Sequence, residues 1–238
     1  MKCSLCPRRC NAERTENENL NGFCKMPLLP VAARAALHFW EEPCISGKNG
    51  SGTVFFTGCN LDCAFCQNYE VSHLKKGKPI TYKRLADIFR ELEEKGAHNI
   101  NLVSPSHYVG AIIRALDIYK PKIPVVYNSG GYDTPENIRA LKDYADIFLM
   151  DLKYLNPERA KKYSGAENYP EYAVSAVKQA YLQQPECVFK NGIMQKGVIV
   201  RHLLLPLGTR EAIAVFDWVR ENTPNAYFSI MSQYIPCG

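Results

Sequence analysis

The feature that most restricts the fold of this chain is the alternation of short apolar runs with amphipathic stretches from residue 53 onward. Thr53–Thr57 is β-branched and aromatic and reads as a strand. Tyr82–Lys95 then carries Leu85, Ile88, Phe89 and Leu92 at helical spacing and stops at Gly96. The pair of signals recurs as strand Asn99–Val103 with helix Tyr108–Tyr119, and as strand Pro124–Asn128 with a helix capped by Thr134 and opened by Pro135. It recurs again as strand Asp146–Leu152 with helix Tyr172–Gln183, and as strand Gly197–Leu205 with helix Thr209–Glu221, before a last strand at Ala226–Met231. Strands this short and apolar suit a parallel sheet buried on both faces. Six such units predict an α/β fold, a partial (β/α)6 TIM-like barrel occupying residues 51–238, with its functional residues at the carboxyl ends of the strands.

Residues 1–50 break the rhythm. They hold Cys3, Cys6, Cys10 and Cys24, then an Ala-rich piece at Val31–Leu37, and lead into the barrel through the turn-rich Ser46–Gly52. A segment of about 30 residues buries too little apolar surface to hold itself together, so a metal staple is expected. Four soft ligands at C-x2-C-x3-C-x13-C spacing suit tetrahedral zinc or an auxiliary iron–sulfur cluster, with zinc favoured.

Seven of the ten cysteines fall into two tight groups. In a reducing compartment that pattern means metal and not disulfides. The second group is Cys59, Cys63 and Cys66, just past the first strand. Three thiolates can hold three irons of a [4Fe–4S] cluster, and no fourth Cys lies nearby. The open iron would mark a reaction site, as the open position of catalytic zinc does. The plainer alternative is a structural zinc site that borrows Cys44. Cys44, Cys187 and Cys237 read as ordinary small hydrophobes, with Cys237 placed to face the site.

Composition excludes several classes. Hydrophobic content of 46% and charged content of 22% are ordinary for a soluble domain, and no apolar run is long enough to span a membrane. The start carries no signal-peptide core, so a cytoplasmic location is the default expectation. Basic residues come as mere pairs (Arg8–Arg9, Lys75–Lys76, Lys161–Lys162), which reads as a solvated surface, not a nucleic-acid patch.

Residues 55–69, Phe-Phe-Thr-Gly-Cys-Asn-Leu-Asp-Cys-Ala-Phe-Cys-Gln-Asn-Tyr, resemble the radical S-adenosylmethionine (SAM) superfamily, and within it the pyruvate formate-lyase activating enzyme-like branch. The resemblance implies a [4Fe–4S] cluster on Cys59, Cys63 and Cys66, with SAM on the open iron. Reduction cleaves SAM to a 5′-deoxyadenosyl radical that abstracts a hydrogen atom. Phe65 would lie by the adenine. The family's Gly-Gly-Glu element, which takes the SAM amino group, is replaced here by Val103-Ser104-Pro105-Ser106-His107, with Ser104 and Ser106 as substitute acceptors. His107 reads equally as a helix-start cap or a catalytic group.

Asn128-Ser129-Gly130 and Asp151-Leu152-Lys153 resemble the elements that surround a monovalent cation beside the SAM carboxylate, with Asn128 in place of an acid. Lys153 would neutralise that carboxylate; the plain alternative is an ion pair with Asp151 at the barrel rim. Of Arg201 and His202, strand alternation turns only one inward, and Arg201 is the expected SAM ligand. Gln233 or Tyr234 would border the substrate.

The expected protein is a radical SAM oxidoreductase, with glycyl radical activation of a partner protein as its implied task and a flavodoxin- or ferredoxin-like reductant. An RNA- or peptide-modifying radical enzyme and a non-enzymatic metal-binding interaction protein are the alternatives.

Overall fold

A computed structural model describes residues 2–235; Cys237 therefore lies outside the described residues. The chain opens with the two-residue strands β1 (Glu13–Arg14) and β2 (Asn19–Leu20), then runs through β3 (Val31–His38), α1 (Pro43–Ser46), β4 (Ser51–Phe56), α2 (Tyr69–Ser72), β5 (Lys78–Pro79) and α3 (Tyr82–Glu94). β6 (Ile100–Val103), α4 (Val109–Ile118), β7 (Val125–Ser129), α5 (Pro135–Ala140), β8 (Ile147–Asp151), α6 (Pro157–Ser164) and α7 (Tyr169–Gln183) follow. The chain closes with β9 (Val188–Lys190), β10 (Ile193–Leu203), α8 (Thr209–Asn222) and β11 (Tyr227–Met231).

Among the described residues, nine strands form one sheet. Its centre is the parallel series β4-β6-β7-β8-β10-β11 in chain order, the six strands of a partial βα barrel. The helix capped by Thr134 forms as the sequence implies, with the Thr134 hydroxyl accepting from Asn137 N–H at 3.3 Å.

Two pieces differ from the sequence reading. β3 joins the barrel sheet, pairing antiparallel with β4 from Ala32–Phe56 to His38–Ser51, so the sheet starts at Val31 and not at residue 51. Helix α1, which ends where the link read from the sequence begins, packs beneath the cavity. Cys44 and Ile45 lie among Val126, Ile147, Leu149, Met194 and Ile199, and Asn99 Nδ2 donates to the Ile45 carbonyl at 2.7 Å. The inner face of the barrel is thus plugged from one end, which leaves room only at the carboxyl ends of the strands.

Alternation sorts the strand residues. Val126, Ile147, Leu149 and Ile199 turn into the barrel, while Tyr127, Phe148, Met150, Val198 and Val200 pack outward under the helices. Among the described residues, no helix is long and apolar enough to cross a membrane.

Candidate active site

A cavity of about 690 Å³ opens at the carboxyl ends of the strands. One wall is the loop after β4, which contributes Cys59, Cys63, Phe65 and Cys66. The loop is held by its neighbours: Asp62 N–H donates to Ser164 O at 3.1 Å and Ala64 N–H to Tyr163 O at 2.9 Å. Each sulfur has a polar partner. Leu61 N–H donates to Cys59 Sγ at 3.4 Å, Cys63 Sγ shares a hydrogen bond with the Ser164 hydroxyl at 3.0 Å, and Cys66 Sγ shares one with the Ser72 hydroxyl at 3.1 Å. Burial pushes the Cys59 thiol up to about 12 and raises Cys63 against the opposing pull of Lys153. Thiols so buried ionise only when a strongly positive group binds them.

The opposite wall is ionic. In the β8–β10 register Asp151 stands beside Arg201, so the two side chains share the inner face. Arg201 donates from Nε to Asp151 Oδ1 at 2.9 Å, from Nη1 to Glu41 Oε1 at 2.7 Å and from Nη2 to Asn128 Oδ1 at 3.0 Å. Lys153 Nζ reaches Asp151 Oδ2 at 2.6 Å, and Asn128 Nδ2 donates to Glu41 Oε2 at 2.8 Å. Burial alone would raise the Asp151 carboxyl, but Arg201 and Lys153 hold it below the usual carboxylate range. Both cations are held protonated in return: burial opposes the charge, and the Asp151 carboxylate overcomes that opposition. The rim ion pair weighed for Asp151 and Lys153 therefore exists, but it is buried in the cavity.

Nine of the ten SAM-site candidates line this cavity: Cys59, Cys63, Cys66, Phe65, Ser104, Asn128, Asp151, Lys153 and Arg201. Ser129 does not. Asn128 turns inward, so the next residue turns outward; Ser129 donates to Asp133 and accepts from Gly131 N–H at 3.0 Å. The same alternation puts Arg201 inside and sends His202 to the Leu152 carbonyl, at 2.8 Å. Where the resemblance implies a monovalent cation, the Arg201 guanidinium bonds both Asn128 and Asp151.

Ser104 keeps a φ of +57°, a left-handed conformation uncommon for a residue other than glycine. His107 is no cap: α4 is entered through Tyr108, and the His107 ring is bonded through Nε2 to the Thr57 carbonyl at 2.8 Å. Burial lowers its pKa to about 4, so the ring is neutral near pH 7 and donates from Nε2.

Glu41 and Glu42 are the site residues that sequence reasoning missed. Both line the cavity, and Glu42 accepts from the Ser229 hydroxyl at 3.0 Å. Burial raises the Glu42 carboxyl. Gln233 also lines the cavity; Tyr234 packs against the main hydrophobic cluster.

In the N-terminal segment Cys3, Cys6 and Cys24 are buried and Cys10 is exposed. Burial raises Cys6 to about 12; at Cys10 it is outweighed by the N–H groups of Ala12, Phe23 and Cys10 itself, which lower the thiol. Among the described residues, no three His, Cys, Asp or Glu side chains close around one point as a lone ion requires. Cys59, Cys63 and Cys66 line one cavity together, and three thiol donors on one loop suit a cluster that keeps one iron open.

The model of the Radical SAM superfamily matches residues 53–198. An uncharacterized protein of Methanocaldococcus jannaschii is 31% identical over 244 residues, which take in 98% of this chain and 66% of that protein's length. Among solved structures, Streptococcus suis SuiB bound to the precursor peptide SuiA aligns with a TM-score of 0.54 at 14% identity, over 73% of this chain and 37% of that one. HydG, a maturase of the [FeFe]-hydrogenase, aligns with a TM-score of 0.50 at 15% identity, over 76% of this chain and 42% of its own. At such identities the likeness is one of fold.

Proposed function

The chain belongs to the radical SAM superfamily, and on that premise we propose that Cys59, Cys63 and Cys66 hold a [4Fe–4S] cluster that takes SAM at its remaining iron. When bound, this pair supplies a 5′-deoxyadenosyl radical for hydrogen-atom abstraction. The observation that carries the reading is the meeting of two walls across one cavity: three thiols, Cys63 buried and Cys59 and Cys66 half-buried, on one side and the Lys153–Asp151–Arg201–Asn128 network on the other.

The residues divide the work. Leu61 N–H, Ser164 and Ser72 place hydrogen bonds at the ligand sulfurs and offset their charge. Lys153 and Arg201 present fixed positive charge to a carboxylate, without reorganisation, because Asp151 and Glu41 already hold them in place. Phe65, with Lys153 Nζ at 6.0 Å from its ring centroid, gives an aromatic ring a surface to stack on. Ser104 and Ser106, both at the cavity wall, would offer hydroxyl acceptors to the SAM amino group in place of the Gly-Gly-Glu element. Trp40, 89% exposed at the rim, and Glu42 with Ser229 inside it, line the part of the cavity left for the substrate.

Glycyl radical activation of a partner protein remains the substrate reading, because residues 55–69 resemble that branch's pattern. A flavodoxin- or ferredoxin-like reductant in the cytoplasm would supply the electron. Cys3, Cys6, Cys10 and Cys24 would staple residues 1–30 through zinc or a second cluster once the metal draws the four thiols together, since they do not close around one point without it.

Anaerobic reconstitution with iron and sulfide tests the reading. About four irons per chain are expected at the Cys59–Cys63–Cys66 site. SAM should change the electron paramagnetic resonance spectrum of the reduced cluster. Lys153→Met should keep the iron and weaken the SAM effect at least tenfold in SAM concentration. A wild-type spectrum indifferent to SAM would contradict the proposal.

A further inference from the structure

One side chain links the two cysteine groups. Arg8 lies in the turn between Cys6 and Cys10 and reaches across to the barrel. Its Nε donates to the Asn60 carbonyl at 2.8 Å and its Nη1 to the Gly165 carbonyl at 2.7 Å. Its guanidinium lies over the Phe23 ring, 3.8 Å from the centroid, and 5.4 Å from that of Tyr132. Asn60 stands between Cys59 and Cys63 and donates from Nδ2 to the Tyr132 carbonyl at 2.5 Å. Gly165 ends α6, the helix whose Tyr163 and Ser164 carbonyls hold the N–H groups of Ala64 and Asp62. A single guanidinium therefore fastens the loop that presents Cys59 and Cys63 to the helix end that braces it.

The turn that carries Arg8 holds Arg9 at a φ of +42°, uncommon for a residue other than glycine, and Asn11, a residue type that tolerates this region, at +52°. Its backbone bonds run inside the module, from Arg9 N–H to Cys6 O and from Asn11 N–H to Cys3 O, each at 3.0 Å. Ligation of the neighbouring thiols would restrain the turn further.

We propose that Arg8 couples the four-thiol module to the cluster loop: ligation of Cys3, Cys6, Cys10 and Cys24 fixes the turn, and the fixed turn lets Arg8 hold Asn60 and Gly165. Opening the module releases the loop. The inference rests on the reading of both cysteine groups as metal sites and adds the connection between them. Arg8 acts through the backbone that presents the ligands, so it is a positioning residue.

Hydrogen exchange and metal analysis on the full chain test the coupling, with wild type, Arg8→Ala, Arg8→Gln, Cys10→Ser and Cys63→Ala compared. Arg8→Ala should keep its N-terminal metal yet exchange residues 59–66 about tenfold faster, and release cluster iron to a chelator about tenfold faster, the scale expected for loss of an outer partner of metal ligands. Arg8→Gln, which retains a donor, should fall between. Cys10→Ser should lose the N-terminal metal and show the same fast exchange. Strands β7 and β8 should stay protected in every variant, which separates a loosened loop from unfolding. Wild-type exchange across residues 59–66 in Arg8→Ala or in Cys10→Ser would overturn the coupling. Cys63→Ala keeps the two questions apart: wild-type iron there would sink the cluster reading itself, while exchange in the other variants still reports on Arg8.

Discussion

The two walls of the cavity answer burial in opposite ways. The ionic wall is complete in itself: Arg201 bridges Asp151, Glu41 and Asn128, and Lys153 closes on Asp151, so the buried charges shown there have partners. The sulfur wall is incomplete. Burial drives Cys59 to about 12 and raises Cys63, so these groups sit as neutral thiols until something strongly positive draws off their protons. The difference teaches how the site divides its tasks. On the proposed reading, the wall that would receive the cluster is left electrostatically unfinished, while the wall that would position SAM is preorganised by the protein's own charges.

The sharpest way to break this comparison is to remove the bridge in the ionic wall. Arg201→Met leaves Glu41 without its ionic partner and Asp151 with Lys153 alone. Unfolding by urea should show a loss of about 3–5 kcal/mol, as for other broken buried ion pairs. A loss near zero would mean that water reaches this wall and that it is not preorganised.

Acid offers a second handle, at the seam between the walls. His107 has its folded pKa lowered to about 4, below the ordinary value of 6.5, because it is buried. The unfolded chain therefore binds the proton first as pH falls. Stability should drop as pH goes from about 6.5 to about 4, by roughly 3 kcal/mol. His107→Gln keeps a donor for the Thr57 carbonyl and should flatten that part of the pH profile. Asp151 acts further down: its depressed pKa contributes stability that is lost only below the usual carboxylate range.

The smallest expected effect is on the sulfur wall. In metal-free protein Cys63→Ala removes the hydrogen bond to Ser164 and the packing of one sulfur at the edge of the main core cluster, and urea unfolding should report a loss of about 1–2 kcal/mol. A loss as large as that of Arg201→Met would erase the contrast between the walls.

The six parallel strands were legible because each is an apolar run between amphipathic helices. β3 was not. Its residues, Val-Ala-Ala-Arg-Ala-Ala-Leu-His, carry weak strand propensity, and only pairing along β4 makes them a strand. α6 is short and polar, so its periodicity is faint, yet its last residues hold the cysteine loop. The β9–β10 hairpin did leave a signal: Asn191 and Gly192 both have positive φ, as a two-residue hairpin turn of this kind requires.

Within the site, Cys59, Cys63, Cys66, Asp151 and Lys153 could be read because motif and strand end coincide. Strand alternation separates Arg201 from His202 and separates Asn128 from Ser129 just as firmly; applying it to the second pair would have removed Ser129. Glu41 was out of reach, since it arrives from a segment that local sequence ties to the N-terminal module and meets Arg201 only in the folded barrel.

The most direct test of the central claim is formation of 5′-deoxyadenosine by the anaerobically reconstituted protein given SAM and dithionite, with Cys63→Ala alongside. The account predicts product from the wild type and none above background from the variant. A wild type that holds a full complement of cluster iron and forms no 5′-deoxyadenosine would contradict it.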